Sequence, residues 1–409
     1  MSYCDQYREL RSLLMPLREI WGFSVLKSWP EMRTAIGPDL LQARVQLSLP
    51  EQYRFLRGEV LPQLPASVQN WQFALQRLIT FPEQPSPQLQ ETPFDEGLNP
   101  KKNHEISAIL EFLEERCDTV QQLIDIGGGA GHLARHLASR RAWNTFSIDR
   151  ESSFQAKGRW LLQRRPWKRL VQGSFTFVTG TFPECLTDYK GLDRTVHTLS
   201  VGLHTCGPLA WHHILMAGAN VDVLNFGCCY DKLQLDTDVE RSSRAQEAPL
   251  GWTQEALFLA TRGGKERSFE DFTFQARVQE FRFALHAYLC EQGFADNFLS
   301  VGQTPDRHYK GSFAAYVENR LQSLQISSRA DAEEIETFRC KHSPILAEQW
   351  AAALLRNRLA RGLEVLLILD RALWLEEKGM EVLVHQFFDP SLSPRNLGIY
   401  AHASSSGVV

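Results

Sequence analysis

The sequence contains no run of about 18 apolar residues, so no membrane-spanning helix is expected. Its start, "MSYCDQYRELRSLL", carries acidic residues and lacks the long apolar core of a secretory signal. Cysteine is sparse: eight residues scattered over 409, with no C-x-x-C pair, in a chain too large to need disulfide staples. These absences predict a reduced, cytoplasmic protein. The charge balance has no strong sign either. A net charge of −4 gives no whole-protein attraction to nucleic acid, although a local basic patch can still supply one. There is no internal repeat and no low-complexity tract, and 43% hydrophobic with 22% charged residues is ordinary for a globular protein.

What is present changes character along the chain. Residues 1–98 read as a helical region closed by a linker: Tyr7, Leu10, Leu14, Leu17 and Trp21 recur at helical spacing, as do Trp71, Leu75 and Leu78. The linker, "FPEQPSPQLQETPFDEGLNP", is rich in proline and has little periodicity. Residues 99–230 alternate helices with short apolar strands at 121–126, "NTFSID", "FTFVTG", "TVHTLSVGL" and "VDVLNFG". Strands separated by helices of this length predict right-handed βαβ units and a parallel sheet covered on both faces. Residues 231–360 are mostly helical and polar, and read as an insertion. In 361–409 a helix, "GLEVLLILDRALWLEE", precedes two strand-like segments, "MEVLVHQFFD" and "NLGIYAHA", which predict a hairpin on the edge of the same sheet.

The stretch "LIDIGGGAGHLARHLA" places Gly127, Gly128, Gly129 and Gly131 between a strand and a helix, the context of a nucleotide site. Asp125 precedes the first glycine by two residues. Asp149 ends the second strand, where a carboxylate can accept both ribose hydroxyls. A nicotinamide dinucleotide usually calls for G-x-G-x-x-G, and the third position here is His132. The D-x-G-x-G-x-G form with a ribose acid resembles motif I of the class I S-adenosylmethionine-dependent methyltransferases. A tight structural turn is the plain alternative.

The fourth and fifth strands run out into "GLHTCGPLA" and "FGCCYDKL", placing His204, Cys206, Cys228, Cys229 and Tyr230 at their carboxyl ends, where ligands bind in such sheets. One reading is an active-site wall, with His204 as general base and Cys228, Cys229 and Tyr230 on the acceptor side. Another is inert packing by small, often buried cysteines. The third is a zinc site, set behind the others because adjacent residues in extended chain point to opposite faces.

Taken with "NPKKNHEISAI" and "LLILDRALWLEE…FFDPSLSPRN", these motifs occur in the order found in the methyltransferase-like protein 25 group, which the sequence resembles over roughly residues 99–232 and 361–401. The resemblance implies a Rossmann-like class I methyltransferase fold: a mostly parallel, seven-stranded α/β sheet with a C-terminal antiparallel hairpin. It implies S-adenosyl-L-methionine as methyl donor, held by Asp125, the glycines and Asp149. It also marks Lys101, Lys102, His104 and Glu105 as candidates, His104 on the cofactor side. Thr181 occupies the position after the third strand where many methyltransferases carry an adenine-binding acid. Neither strand end has the two prolines of the Asn/Asp-Pro-Pro-aromatic motif, so base N-methylation is not supported. The H-x-C-G and C-C elements are similar to those of certain tRNA 2′-O-methyltransferases.

Between Glu151 and Glu184 there is no acidic residue, while Lys157, Arg159, Arg164, Arg165, Lys168 and Arg169 interleave with Trp160 and Trp167. Such a surface can bind phosphates and stack bases, although a solvated helix face is the commoner origin of such a run. The sequence thus predicts methyl transfer to RNA or protein. A catalytically inactive scaffold that keeps the cofactor loop is the alternative, and the glycine spacing disfavours a nicotinamide oxidoreductase.

Overall fold

Short apolar runs become strands wherever both faces can be covered. Five lie parallel: β1 (Gln122–Ile126), β2 (Asn144–Asp149), β3 (Phe175–Thr179), β4 (Thr198–Cys206) and β5 (Val221–Cys228). Central β1 is buried at all five positions, whereas edge strand β3 is buried only at Val178. Two further strands, β6 (Met380–Gln386) and β7 (Leu397–Ala403), pair with each other antiparallel, and β7 inserts antiparallel beside β5. The sheet order is β3-β2-β1-β4-β5-β7-β6. This is the seven-stranded Rossmann-like arrangement expected from the sequence, including its C-terminal antiparallel pair.

The computed structural model describes residues 1–29, 31–85, 98–164, 173–187, 189–263, 268–296, 298–327 and 330–403. The sheet belongs to a unit assembled from Met1–Ser12, Leu78–Glu266 and Arg361–Val409. Helix α1 (Pro100–Glu114) starts at Asn99, whose side chain accepts the Lys102 N–H at 2.8 Å, with Pro100 in the first turn. Alternation along β1 splits the core: Leu123 joins Ile109, Phe112 and Leu137 on one face, while Ile124 and Ile126 join Phe146 and Ile148 on the other. Helices α2 (His132–Ala138), α3 (Ser152–Gln163) and α4 (Leu209–Ile214) make the crossovers. The outer edge of β6 is occupied: the Gln386 N–H donates to Pro82 O and the Gln84 N–H to Gln386 O, both at 2.8 Å, and Tyr3 Oη accepts the Val384 N–H at 2.8 Å.

A second unit comprises Leu13–Arg77 and Arg267–Ala360, and its regular elements among the described residues are helical. Its core is aromatic, with Phe272 against Tyr53 and Trp350, and Phe281 against Phe313 and Tyr316. The Trp350 indole donates to Gln52 Oε1 at 2.7 Å. This unit therefore draws on both the N-terminal helices and the segment read as an insertion. One long helix, α5 (Ala332–Glu377), contributes residues to each unit. Residues 86–97 of the proline-rich linker lie outside the described residues. Among those described, no helix is long and apolar enough to cross a membrane.

Candidate active site

Strand order reverses between β1 and β4, which opens a crevice at their carboxyl ends. The loop after β1 is shaped by its backbone. Gly127, Gly129 and Gly131 have φ of 67°, 57° and 69°, the left-handed region that side chains disfavour. Gly128 is needed for space: a Cβ there would lie 2.3 Å from Asp125 Oδ2 and 2.4 Å from Ser147 Oγ. A Cβ on Gly127, by contrast, would meet nothing nearer than Leu209 at 3.7 Å, so that side of the loop is open. Asp149 anchors the turn, accepting the Gly129 N–H on Oδ2 and the Glu151 N–H on Oδ1, each at 2.8 Å. Gln155 closes it from α3, donating to Gly129 O at 2.9 Å. Asp125 is buried below, and burial pushes its carboxyl up to about 7 despite the Lys102 charge and the Ser147 hydrogen bond. An open glycine wall beside a fixed carboxylate with spare lone pairs is chemistry that suits a nucleoside.

On the far side of the crevice, β4 breaks register between Gly202 and Thr205, and His204 sits there at φ 64°. The break brings its Nε2 to 2.9 Å from Glu105 Oε1. Glu105 comes from α1, is buried, accepts Ser393 Oγ–H at 2.6 Å and has Lys101 Nζ at 3.6 Å. Burial opposes its ionisation, but the hydrogen bonds from His204 and Ser393 and the His204 and Lys101 charges prevail and hold the carboxyl below its ordinary value. An ionised carboxylate only accepts, so His204 donates through Nε2, which leaves Nδ1 as the acceptor when the ring is neutral.

Beside it, Cys206 pairs in register with Cys228, and their sulfurs stand 3.0 Å apart. Cys229 Sγ is 3.3 Å from Cys206 Sγ. The sequence reading put Cys228 and Cys229 on opposite faces, which holds only for extended chain. Cys229 instead adopts φ 50° and ψ 52°, and its thiol swings back to the same point. Hydrogen bonding from Cys228 holds the Cys206 thiol down to about 6 against its burial, with help from Cys229, Lys232 and His204. The Cys228 thiol is pushed up by that same bond and by burial, and Cys229 is pushed up mainly by burial.

Residues 101–236, which hold the glycine loop, Asp149 and both strand ends, match the family model described as a methyltransferase domain. The chain is thus similar to a methyltransferase domain over about a third of its length. It is similar to a "Probable methyltransferase-like protein 25" of Homo sapiens, 28% identical over 243 residues, covering 53% of this chain and 40% of that protein. The Mus musculus protein of the same name is 27% identical over 250 residues, with the same shares covered. The alignable part of the chain thus spans well under half the length of these curated relatives.

Not every residue expected at the site stands there. Tyr230 is a packing residue: its ring is 1% exposed, Arg371 lies 5.4 Å from the ring centre, and its hydroxyl donates to Gly227 O at 3.3 Å. Burial drives its phenol up, so it offers no acid or base near neutrality. His104 is buried, and its Nε2 accepts the Asp389 N–H at 2.9 Å, pinning the β6–β7 connection. Thr181 is exposed and follows Gly180, whose N–H donates to Asp149 O at 3.1 Å, so it lies at the rim beyond β2 and β3. Of the basic stretch, Arg159 donates to Phe177 O at 3.3 Å, and the Arg164 guanidinium stacks 4.3 Å from the centre of Trp160, which is 53% exposed. Lys157 precedes them on α3, while Arg165, Trp167, Lys168 and Arg169 are outside the described residues.

Ser393 and Arg395 were not singled out from the sequence. Both lie in the β6–β7 connection, where Arg395 donates to Ala260 O at 3.1 Å, Glu364 Oε1 at 2.9 Å and Gly263 O. Their signal was the motif "FFDPSLSPRN" itself, but only the fold brings it to Glu105, far away in the sequence.

Proposed function

We propose that this chain is an S-adenosylmethionine-dependent methyltransferase acting on a nucleophile of RNA or protein. The observation that carries the reading is the glycine loop with Asp149 fixed against Gly129. The fit rests on the space above Gly127, which a nucleoside can enter, and on the left-handed turns that keep side chains out of it. When bound, S-adenosylmethionine supplies an electrophilic methyl group on a sulfonium sulfur. Asp149 and the open glycine turn would hold and orient the nucleoside, and orientation alone can account for much of a rate enhancement. His204 Nδ1 takes the proton of the incoming nucleophile, while Glu105 fixes the ring and stabilises the imidazolium. The exposed Trp160 with Arg164 stacked on it supports an RNA acceptor, since bases stack on such a pair. A cytosolic location accords with free cysteines throughout the described residues.

The test is calorimetric titration with S-adenosylmethionine, S-adenosylhomocysteine and NAD, with Asp149→Ala run beside the wild type after a check of its fold. The proposal expects both sulfur nucleotides to bind and Asp149→Ala to lose them. Binding of NAD alone, or of nothing, overturns it. Binding without transfer of labelled methyl to cellular RNA or protein favours the inactive scaffold.

A further inference from the structure

We propose that Cys206, Cys228 and Cys229 form a thiolate site for a zinc ion at the ends of β4 and β5. Among the described residues, they are the one group of three or more His, Cys, Asp or Glu side chains whose ligand atoms all lie within 4.8 Å of one another. Two backbone features bring them together. The register shift after Gly202 gives β4 one extra residue and so sets Cys206 level with Cys228. The left-handed turn at Cys229 folds its side chain back towards Cys206, where an extended residue would point it away.

Sulfur chemistry then selects the occupant. Thiols are weak hydrogen-bond partners, so three of them gathered around one point gain little from each other. As thiolates they are ligands for soft and borderline metals rather than for magnesium or calcium. Zinc–sulfur bonds of about 2.3 Å in a tetrahedron put neighbouring sulfurs roughly 3.8 Å apart. The observed 3.0 and 3.3 Å therefore need to widen by less than an ångström. His204 is not part of the group, so three protein ligands leave one tetrahedral position for water or an acceptor. Three ligands with an open position are the pattern of catalytic rather than purely structural zinc. Binding releases thiol protons to solvent and involves no change of oxidation state.

The experiment reads metal and not methyl transfer, so it stands or falls separately from the activity proposed above. The full chain is purified in a non-chelating reductant, equilibrated with Zn2+, desalted and assayed by mass spectrometry for metal. A parallel sample is loaded with Co2+ and its absorption recorded. The proposal expects one zinc per chain, and for cobalt a near-ultraviolet thiolate charge-transfer band with the intense visible bands of a tetrahedral ion. Cys206→Ser and Cys229→Ser, each checked by circular dichroism, should lose roughly 100-fold or more in affinity, beyond what outer-shell changes cost. Cys340→Ser, an exposed cysteine of the helical unit, should lose nothing. Absence of stoichiometric metal, a cobalt spectrum without thiolate bands, or undiminished binding by a folded Cys206→Ser overturns the site. A disulfide from Cys206 to Cys228 or Cys229 that persists in reductant also overturns it. The wild-type cobalt spectrum decides the matter even where a serine variant misfolds.

Discussion

At the scale of single residues, the glycine loop makes sharp demands. Gly128 has backbone freedom to spare but no room, because its missing Cβ would collide with the Asp125 carboxylate and the Ser147 hydroxyl, both buried. Gly128→Ala should cost about 1–3 kcal/mol in urea unfolding, as overpacking does. Gly311→Ala, with nothing within 4 Å of its added Cβ and no left-handed φ, should stay within about 0.5 kcal/mol. Asp125 makes a prediction in pH. Its carboxyl is raised from 3.8 to about 7 by burial, so between those values the folded chain holds a proton that the unfolded chain has released. The stability it contributes is complete below pH 3.8 and is lost as pH rises through 7. Unfolding of Asp125→Asn should lack that decline, and the difference between the two proteins should flatten above pH 7. Parallel curves would show the carboxyl ionised throughout. His213 is lowered to about 3 by burial and loses stability in the opposite direction, on acidification, but it is common to both proteins and cancels.

At the scale of elements, Glu105 joins three that are remote in sequence: α1, the end of β4 through His204, and the β6–β7 connection through Ser393. Glu105→Gln removes a buried charged acceptor and should cost about 1.5–3 kcal/mol at neutral pH. Because the folded carboxyl lies below its ordinary 4.5, the wild type's lead should shrink as pH falls through that value. A lead independent of pH would mean that shape, not charge, is what Gln fails to supply. These elements also show how far the sequence could be read. Strands β1, β2, β4 and β5 were legible because short segments rich in apolar residues alternate with helical ones, and the C-terminal hairpin because two such segments flank "PSLSPR". The glycine loop was legible because glycine adopts those backbone angles at no steric cost. Tyr230 was misplaced because one residue's turn decides whether a strand end faces the crevice or the core. The convergence of Cys229 on Cys206 was invisible for the same reason: a left-handed cysteine is imposed by tertiary packing, not by its own preference.

At the scale of the whole molecule, ligand binding and stability are linked. A nucleotide that binds only the folded sheet unit should raise unfolding free energy by about 2.7 kcal/mol at a hundredfold excess over its dissociation constant. Heating scans with S-adenosylhomocysteine should therefore show a concentration-dependent rise in midpoint that Asp149→Ala abolishes. A rise of equal size in the variant would move the binding site elsewhere. The sheet order carries a consequence for synthesis. Strand β5 is complete at Cys228, yet β7, which pairs with its Val223, Leu224 and Asn225, begins only at Leu397. At translation rates of about 5–20 residues per second, β5 leaves the ribosome on the order of ten to thirty seconds before its neighbour exists. During that interval its free edge and the apolar side chains flanking it can pair with a stranger. A nascent chain of this design is a customer for chaperones until this strand is made, and a premature stop shortly before Leu397 should yield aggregate instead of a smaller folded protein.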